Sequence, residues 1–177
     1  PSKLFDCSVL RTLFFWSLIS IILHAFYINT PFVNLEFVFA HAAQNMFDPQ
    51  SKGGMSHYWS MQANPLGYVW LSSIIHFILG QPDGFWSYRL ASLFGLVAIF
   101  SSGAIFLSAL KSVNCRDFHL WCALVTCCPL VWLFSGRATA DVLPLGLLTL
   151  SFAFAFKSKE KQLYLWSGGI IFSLAIV

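Results

Sequence analysis

Charge is what this sequence has least of: 10% of its 177 residues are Asp, Glu, Lys or Arg, against about 25% in a soluble globular domain. With 58% hydrophobic residues and a mean hydropathy of +0.73, the chain does not have water as its main solvent. The scarcity also excludes functions. Ten Lys and Arg against seven acids leave a net charge of +3, too few and too dispersed to build the basic face that a nucleic acid requires. The five cysteines, Cys7, Cys115, Cys122, Cys127 and Cys128, include no CxxC pair with a matching partner pair. Three of them lie inside an apolar run and read as packing residues rather than metal or disulfide positions. The chain opens on Pro1 without a Met and stops inside the apolar run from Ile170, so it is expected to be a piece of a longer protein. Its first apolar run, Val9 to Ile28, is too long for a signal-peptide core and lacks a small-residue cleavage site after it, and so reads as a retained anchor.

What the sequence does have is long apolar segments. A spanning helix needs about 20 mostly apolar residues, and the expectation is a single all-α, polytopic transmembrane domain with about five spans: 9–28, 86–110, 118–135, 141–156 and 163–177. The stretch from Pro65 to Leu79 is apolar but short, opens with Pro-Leu-Gly and carries His76. Cytoplasmic loops collect Lys and Arg, and that rule decides its topology. If the stretch does not cross, Lys3, Arg11, Lys111, Arg116, Lys157, Lys159 and Lys161 lie inside and only Lys52, Arg89 and Arg137 outside. If it crosses, six of the ten lie outside. A membrane-embedded or in-plane helix that returns to its own side is therefore expected, within an extracytoplasmic loop covering 29–85.

This topology puts two polar stretches on one extracytoplasmic face. In the first, Glu36 to Phe47 reads as a short helix, because Glu36, Phe39, Ala40, Ala43, Met46 and Phe47 recur at three- and four-residue spacing. Asn34 is the expected N-cap, Glu36 suits the positive end of the helix dipole, and Asp48-Pro49 ends the run. Capping alone would account for Glu36. His41, Lys52, His57 and Tyr58 share this loop, with Tyr58-Trp59 suited to the headgroup level. The second stretch, Gly136-Arg137-Ala138-Thr139-Ala140-Asp141, is wedged between apolar helices, where an Arg and an Asp are costly and usually have a partner or a role. Asp141 can cap the helix it opens or pair with Arg137, while Arg137 offers a planar fork to a phosphate. Arg89, at the start of its helix, can snorkel to the headgroups.

Four stretches, in order, then resemble the GT-C glycosyltransferases, in the branch of the protein O-mannosyltransferases and the lipid A aminoarabinose transferases. Leu35-Glu36 with Phe39-Ala40 and Met46 looks like the family's Asp-Glu motif opening its first juxtamembrane helix. Tyr58 and then Asn64 to Leu71 are similar to the Pro-rich start of its second. Tyr88-Arg89-Leu90-Ala91-Ser92-Leu93-Phe94-Gly95-Leu96 resembles the entry to the following span, and Gly136 to Asp141 resembles the family's Gly-Arg-x-x-Thr-x-Asp turn. The likeness covers residues 10 to 156. Two positions depart from the pattern: Leu35 stands where the family often has Asp, and Ala63 or Asn64 where it often has Lys.

The resemblance implies a membrane glycosyltransferase, in a bacterial plasma membrane or else the endoplasmic reticulum. It would move a sugar from a polyprenyl-phosphate donor to a hydroxyl on a lipid, glycan or protein acceptor, with inversion. Glu36 would take the acceptor proton. Arg137, then Arg89 or Lys52, would hold the donor phosphate as charge builds on it. Asp141 would orient Arg137 or help to bind a divalent metal, and His57, His41 and Tyr58 are candidates for acceptor or metal contacts. The alternative class is a transporter or membrane assembly protein without catalysis, against which stands the near absence of ionisable residues from the helix interiors.

Overall fold

The computed structural model describes residues 7–25, 28, 31, 35–45, 66–80, 86–110, 114–135, 137, 141–159 and 161–176. Among these, every regular element is a helix: α1 (Cys7–Ala25), α2 (Leu35–Asn45), α3 (Leu66–Ile78), α4 (Trp86–Ala109), α5 (Cys115–Cys127), α6 (Pro129–Ser135), α7 (Val142–Lys157) and α8 (Gln162–Ile176). The expected all-α class holds, with no strand among the described residues.

Among the described residues two helices, α1 and α4, are long and apolar enough to cross a membrane, and the count is three if the bent pair α5 and α6 forms one span. The expectation of one helix over 118–135 is corrected by a 63° break between α5 and α6. Pro129 causes it, since proline lacks an N–H and pushes the preceding residue out of the helical region. Cys128 accordingly sits at φ −69°, ψ 116°. The helix also begins earlier than expected, at Cys115, where the Asn114 side chain accepts the Arg116 N–H at 3.2 Å. With 16 and 15 residues, α7 and α8 are apolar but short; at 1.5 Å per residue they reach about 24 and 22 Å, below the ~30 Å hydrocarbon core.

The 13 residues of α3 reach only about 20 Å, too short to cross alone. Its end is a helix stop: Leu79 N–H bonds to Ile75 O and Gly80 N–H to Phe77 O, both at 3.0 Å, and Gly80 takes φ 78°, a conformation glycine enters without a Cβ penalty.

At the centre of the bundle is α4, whose apolar window is 61% buried against 22% for the peripheral α1. Its closest neighbour is α7. At Gly95 an added Cβ would overlap the Val142 carbonyl, and at Gly146 the Gly95 carbonyl, so small residues are what let the two backbones touch, as in membrane helix pairs. Around this axis α8 lies on α7, α1 lies on α5, and α2 and α3 form a layer over the N-terminal end of α4. One apolar cluster joins Phe39 and Ala43 of α2, Tyr68 and Val69 of α3, Ala91 of α4 and Leu143 of α7. A second joins Val9 of α1, Phe100 of α4, Phe118 and Cys122 of α5 and Val142 of α7. Large apolar side chains such as Phe14, Leu130 and Trp166 point outward, as a hydrocarbon solvent requires. Hydroxyls within helices bond back along their own turns, for example Thr126 Oγ1 to Cys122 O at 2.8 Å and Ser101 Oγ to Val97 O at 2.8 Å, which satisfies them without water.

Candidate functional site

The polar groups collect at the end of the bundle where α2 and α3 cover α4. Glu36, in the first turn of α2, meets Arg89, in the first turn of α4. Arg89 Nε donates to Glu36 Oε1 at 3.1 Å and Nη2 to Oε2 at 3.3 Å, and both side chains are 2% exposed. Two further guanidinium hydrogens go to backbone carbonyls: Nη1 to Ile28 O at 2.7 Å and Nη2 to Pro31 O at 3.4 Å. Arg89 therefore does not snorkel. Its planar fork ties the carboxylate and the chain between α1 and α2 to one helix end, a geometry that lysine does not offer.

Beside this clasp a polar seam joins α3 to α4. Tyr68 Oη donates to Tyr88 O at 2.9 Å and Ser72 Oγ to the same carbonyl at 3.4 Å. Ser73 Oγ reaches back to Ala43 O of α2 at 2.7 Å. Burial pushes the Tyr68 hydroxyl well above its usual range, with hydrogen bonds from Ser92 and Ser72 opposing the shift, so this phenol stays protonated. His76 closes the seam: Nδ1 meets Ser87 Oγ at 3.0 Å, Nε2 meets Tyr88 Oη at 3.2 Å, and the ring stacks on Tyr88 with centroids 4.6 Å apart. Partial burial lowers the His76 pKa, favouring the neutral ring.

At the far side of α4 is the turn between α6 and α7. Arg137, half-buried, donates its N–H to Phe134 O at 3.2 Å, and its carbonyl accepts Ser92 Oγ at 2.6 Å. Two residues earlier, the fully buried Ser135 meets His24 of α1, Oγ to Nε2, at 2.7 Å, while His24 Nδ1 lies 2.5 Å from Ser20 O. Asp141 is corrected in its expected role. It is exposed and makes no side-chain cap to α7, with φ −80°, ψ −48° already helical instead of the extended conformation from which a side chain reaches the free N–H groups. No ion pair joins it to Arg137 among the described residues.

The same end holds a groove of about 700 Å³ between α3, α4, α7 and α8, within the size range of ligand pockets. Trp70 and Tyr68 of α3, Phe94 of α4, Leu143 and Leu147 of α7 and Leu174 of α8 line it. These come from the first part of α4 and of α7 and the last part of α8, so the groove sits at the depth of the polar groups.

The structure thus brings Glu36 and Arg89 into contact and sets the Arg137 backbone against the helix of Arg89, one turn further along at Ser92. Lys52, His57, Tyr58 and the expected cap Asn34 lie outside the described residues, as does the side chain of His41. Among the described residues no group of three or more His, Cys, Asp or Glu side chains is placed to hold a metal ion. His24, Ser92 and Ser135 were not singled out by the sequence reading; the signal was there in His24, an ionisable residue inside an apolar run. Comparison of the chain with family models, with curated proteins and with solved structures finds no match.

Proposed function

We propose that this chain is the membrane module of a glycosyltransferase that moves a sugar from a polyprenyl-phosphate donor to a hydroxyl acceptor on the extracytoplasmic side, with inversion. The observation that carries the reading is the combination at one end of the bundle of an apolar groove of about 700 Å³ and the half-buried cation Arg137. An amphiphile with a long apolar tail and an anionic phosphate is the chemistry that such a pair complements. In this reading α1, α4, the α5 and α6 pair, α7 and α8 make five spans, the two short ones accommodated by local thinning of the bilayer. The membrane is the bacterial plasma membrane, with the endoplasmic reticulum as the alternative.

Transfer breaks the bond from the anomeric carbon to the phosphate oxygen and forms one to the acceptor oxygen. The electron pair leaves on the lipid phosphate, where Arg137 stabilises it, and the acceptor proton goes to a carboxylate, for which Glu36 is the candidate. To serve, one Glu36 oxygen must let go of Arg89 and turn to the acceptor hydroxyl; the 3.3 Å contact at Oε2 is the longer of the two. Glu36→Gln keeps the shape of the clasp and removes the base. Loss of transfer by about 100-fold or more, the scale of general-base catalysis, with the protein still folded in detergent, supports the role. Turnover equal to the wild type in a radiolabelled lipid-sugar assay removes Glu36 from the mechanism.

The full pairing of Glu36 favours a second reading, a transporter or assembly protein without catalysis, in which the clasp is purely architectural. The two readings divide on the donor: Arg137→Ala weakens binding of a polyprenyl-phosphate analogue in the first and leaves it unchanged in the second. Both need positions 52 and 140 on one side of the bilayer, so single cysteines placed there should label from the same face.

A further inference from the structure

We infer that His24 and Ser92 are positioning residues that aim Arg137, a role that rests on reading Arg137 as the cation for the lipid phosphate. The turn carrying Arg137 is held from two sides. From α4, the Ser92 hydroxyl donates to the Arg137 carbonyl at 2.6 Å. From α1, His24 grips Ser135, two residues before Arg137, at 2.7 Å. The direction of that second bond follows from its anchor: a carbonyl only accepts, so the 2.5 Å contact to Ser20 O puts the hydrogen on His24 Nδ1. That leaves Nε2 as the ring atom that meets the Ser135 hydroxyl. His24 and Ser135 are 1% and 0% exposed and Ser92 is 0% exposed, so no water competes for these bonds. A third contact, Arg137 N–H to Phe134 O, closes the turn on itself.

The consequence is that the Arg137 backbone is fixed by two different helices while its side chain stays half-buried. This is how a cation is held for a phosphate without paying for its ordering at the moment of binding. Ser92 also lies three residues after Arg89, so a single turn of α4 carries both the Glu36 clasp and the hold on Arg137. Displacing α4 at this turn would move both.

The test uses the protein in detergent with two probes, a farnesyl phosphate and the uncharged farnesol. Ser92→Ala and His24→Phe should each weaken farnesyl phosphate binding by about tenfold, as a misaimed contact does, and leave farnesol binding unchanged. Ser92→Thr, which keeps the hydroxyl, should restore the phosphate affinity. In an Arg137→Ala background, Ser92→Ala should cost nothing further. If His24→Phe does not fold, His24→Gln, which keeps a donor and an acceptor, replaces it and should bind within a few-fold of the wild type. Full additivity of the Ser92 and Arg137 effects, or equal loss of both probes, overturns the positioning role. If Arg137→Ala itself leaves farnesyl phosphate binding intact, it is the reading of Arg137 that fails, and the positioning role with it.

Discussion

The two ends of the bundle bury charge in different ways. At the α2 and α3 end, Glu36 and Arg89 are opposite charges in a bidentate fork, each 2% exposed, and the carbonyls of Ile28 and Pro31 take two more of the donors. At the opposite end, Lys157 closes α7 at 1% exposure, with its Nζ on the Ser108 hydroxyl at 2.5 Å and 5.9 Å above the Tyr164 ring. Near it in the bundle, Thr12 of α1 meets His119 of α5 at 3.2 Å, and Trp16 Nε1 donates to His119 Nδ1 at 3.1 Å. The partners described at that end are neutral, and a lysine there covers apolar surface with its stem. The first end is built to fix a geometry, the second to finish helices, and a groove lies beside the first.

The comparison is broken most severely by removing half of the clasp. Arg89→Met takes the guanidinium from a buried carboxylate and should cost about 3–5 kcal/mol, read as a large fall in thermal midpoint in detergent. The double variant Glu36→Leu/Arg89→Met removes both charges and should recover most of that loss, because an apolar pair of similar volume is often neutral or better; a double variant as unstable as the single one would mean that the carbonyl contacts, not the pair, carry the clasp. At the other end Ser108→Ala, which takes one hydroxyl away from the Lys157 Nζ, should cost no more than about 1 kcal/mol, the scale of one hydrogen bond. A loss matching that of Arg89→Met would erase the distinction.

Smaller still is the effect of pH on His76. Its pKa is lowered in the folded protein, so on acidification the unfolded chain takes the proton first, near its ordinary pKa of about 6.5, and stability falls from there down towards the lower folded value. The thermal midpoint of the wild type should drop between pH 7.5 and 5.5 by more than that of His76→Gln. Equal drops would place the pH dependence elsewhere.

Much of this architecture was legible in the sequence. The apolar run expected to end at Leu110 is α4, ending at Ala109. The Glu36 periodicity gave a helix that begins at Leu35 and ends two residues short of Phe47, at Asn45. Charge counting marked the segment that becomes α3 as one that turns back, in keeping with its 13 residues. Pro129 interrupts the run 118–135, which apolar continuity alone reads as one helix. What composition and spacing do not encode is which polar groups meet. Glu36 and Arg89 are 53 positions apart and read as separate tools, a base and a phosphate ligand, until the folding of α2 over α4 makes them partners. Ser92 and Ser135 resemble any other hydroxyl in an apolar helix, and only tertiary contact gives them different bonds. The Arg137 turn was noticed for its cost in the membrane, yet its suggested partner Asp141 is not what holds it.

Photocrosslinking with a diazirine-bearing isoprenyl phosphate examines the pairing of groove and cation most directly. Adducts should concentrate on Trp70, Phe94, Leu147 and Leu174, and should fall away in Arg137→Ala. Adducts spread instead over the outward face of α1, at Phe14 and Leu18, with the same yield in wild type and Arg137→Ala, would contradict a lipid-phosphate site at this end of the bundle.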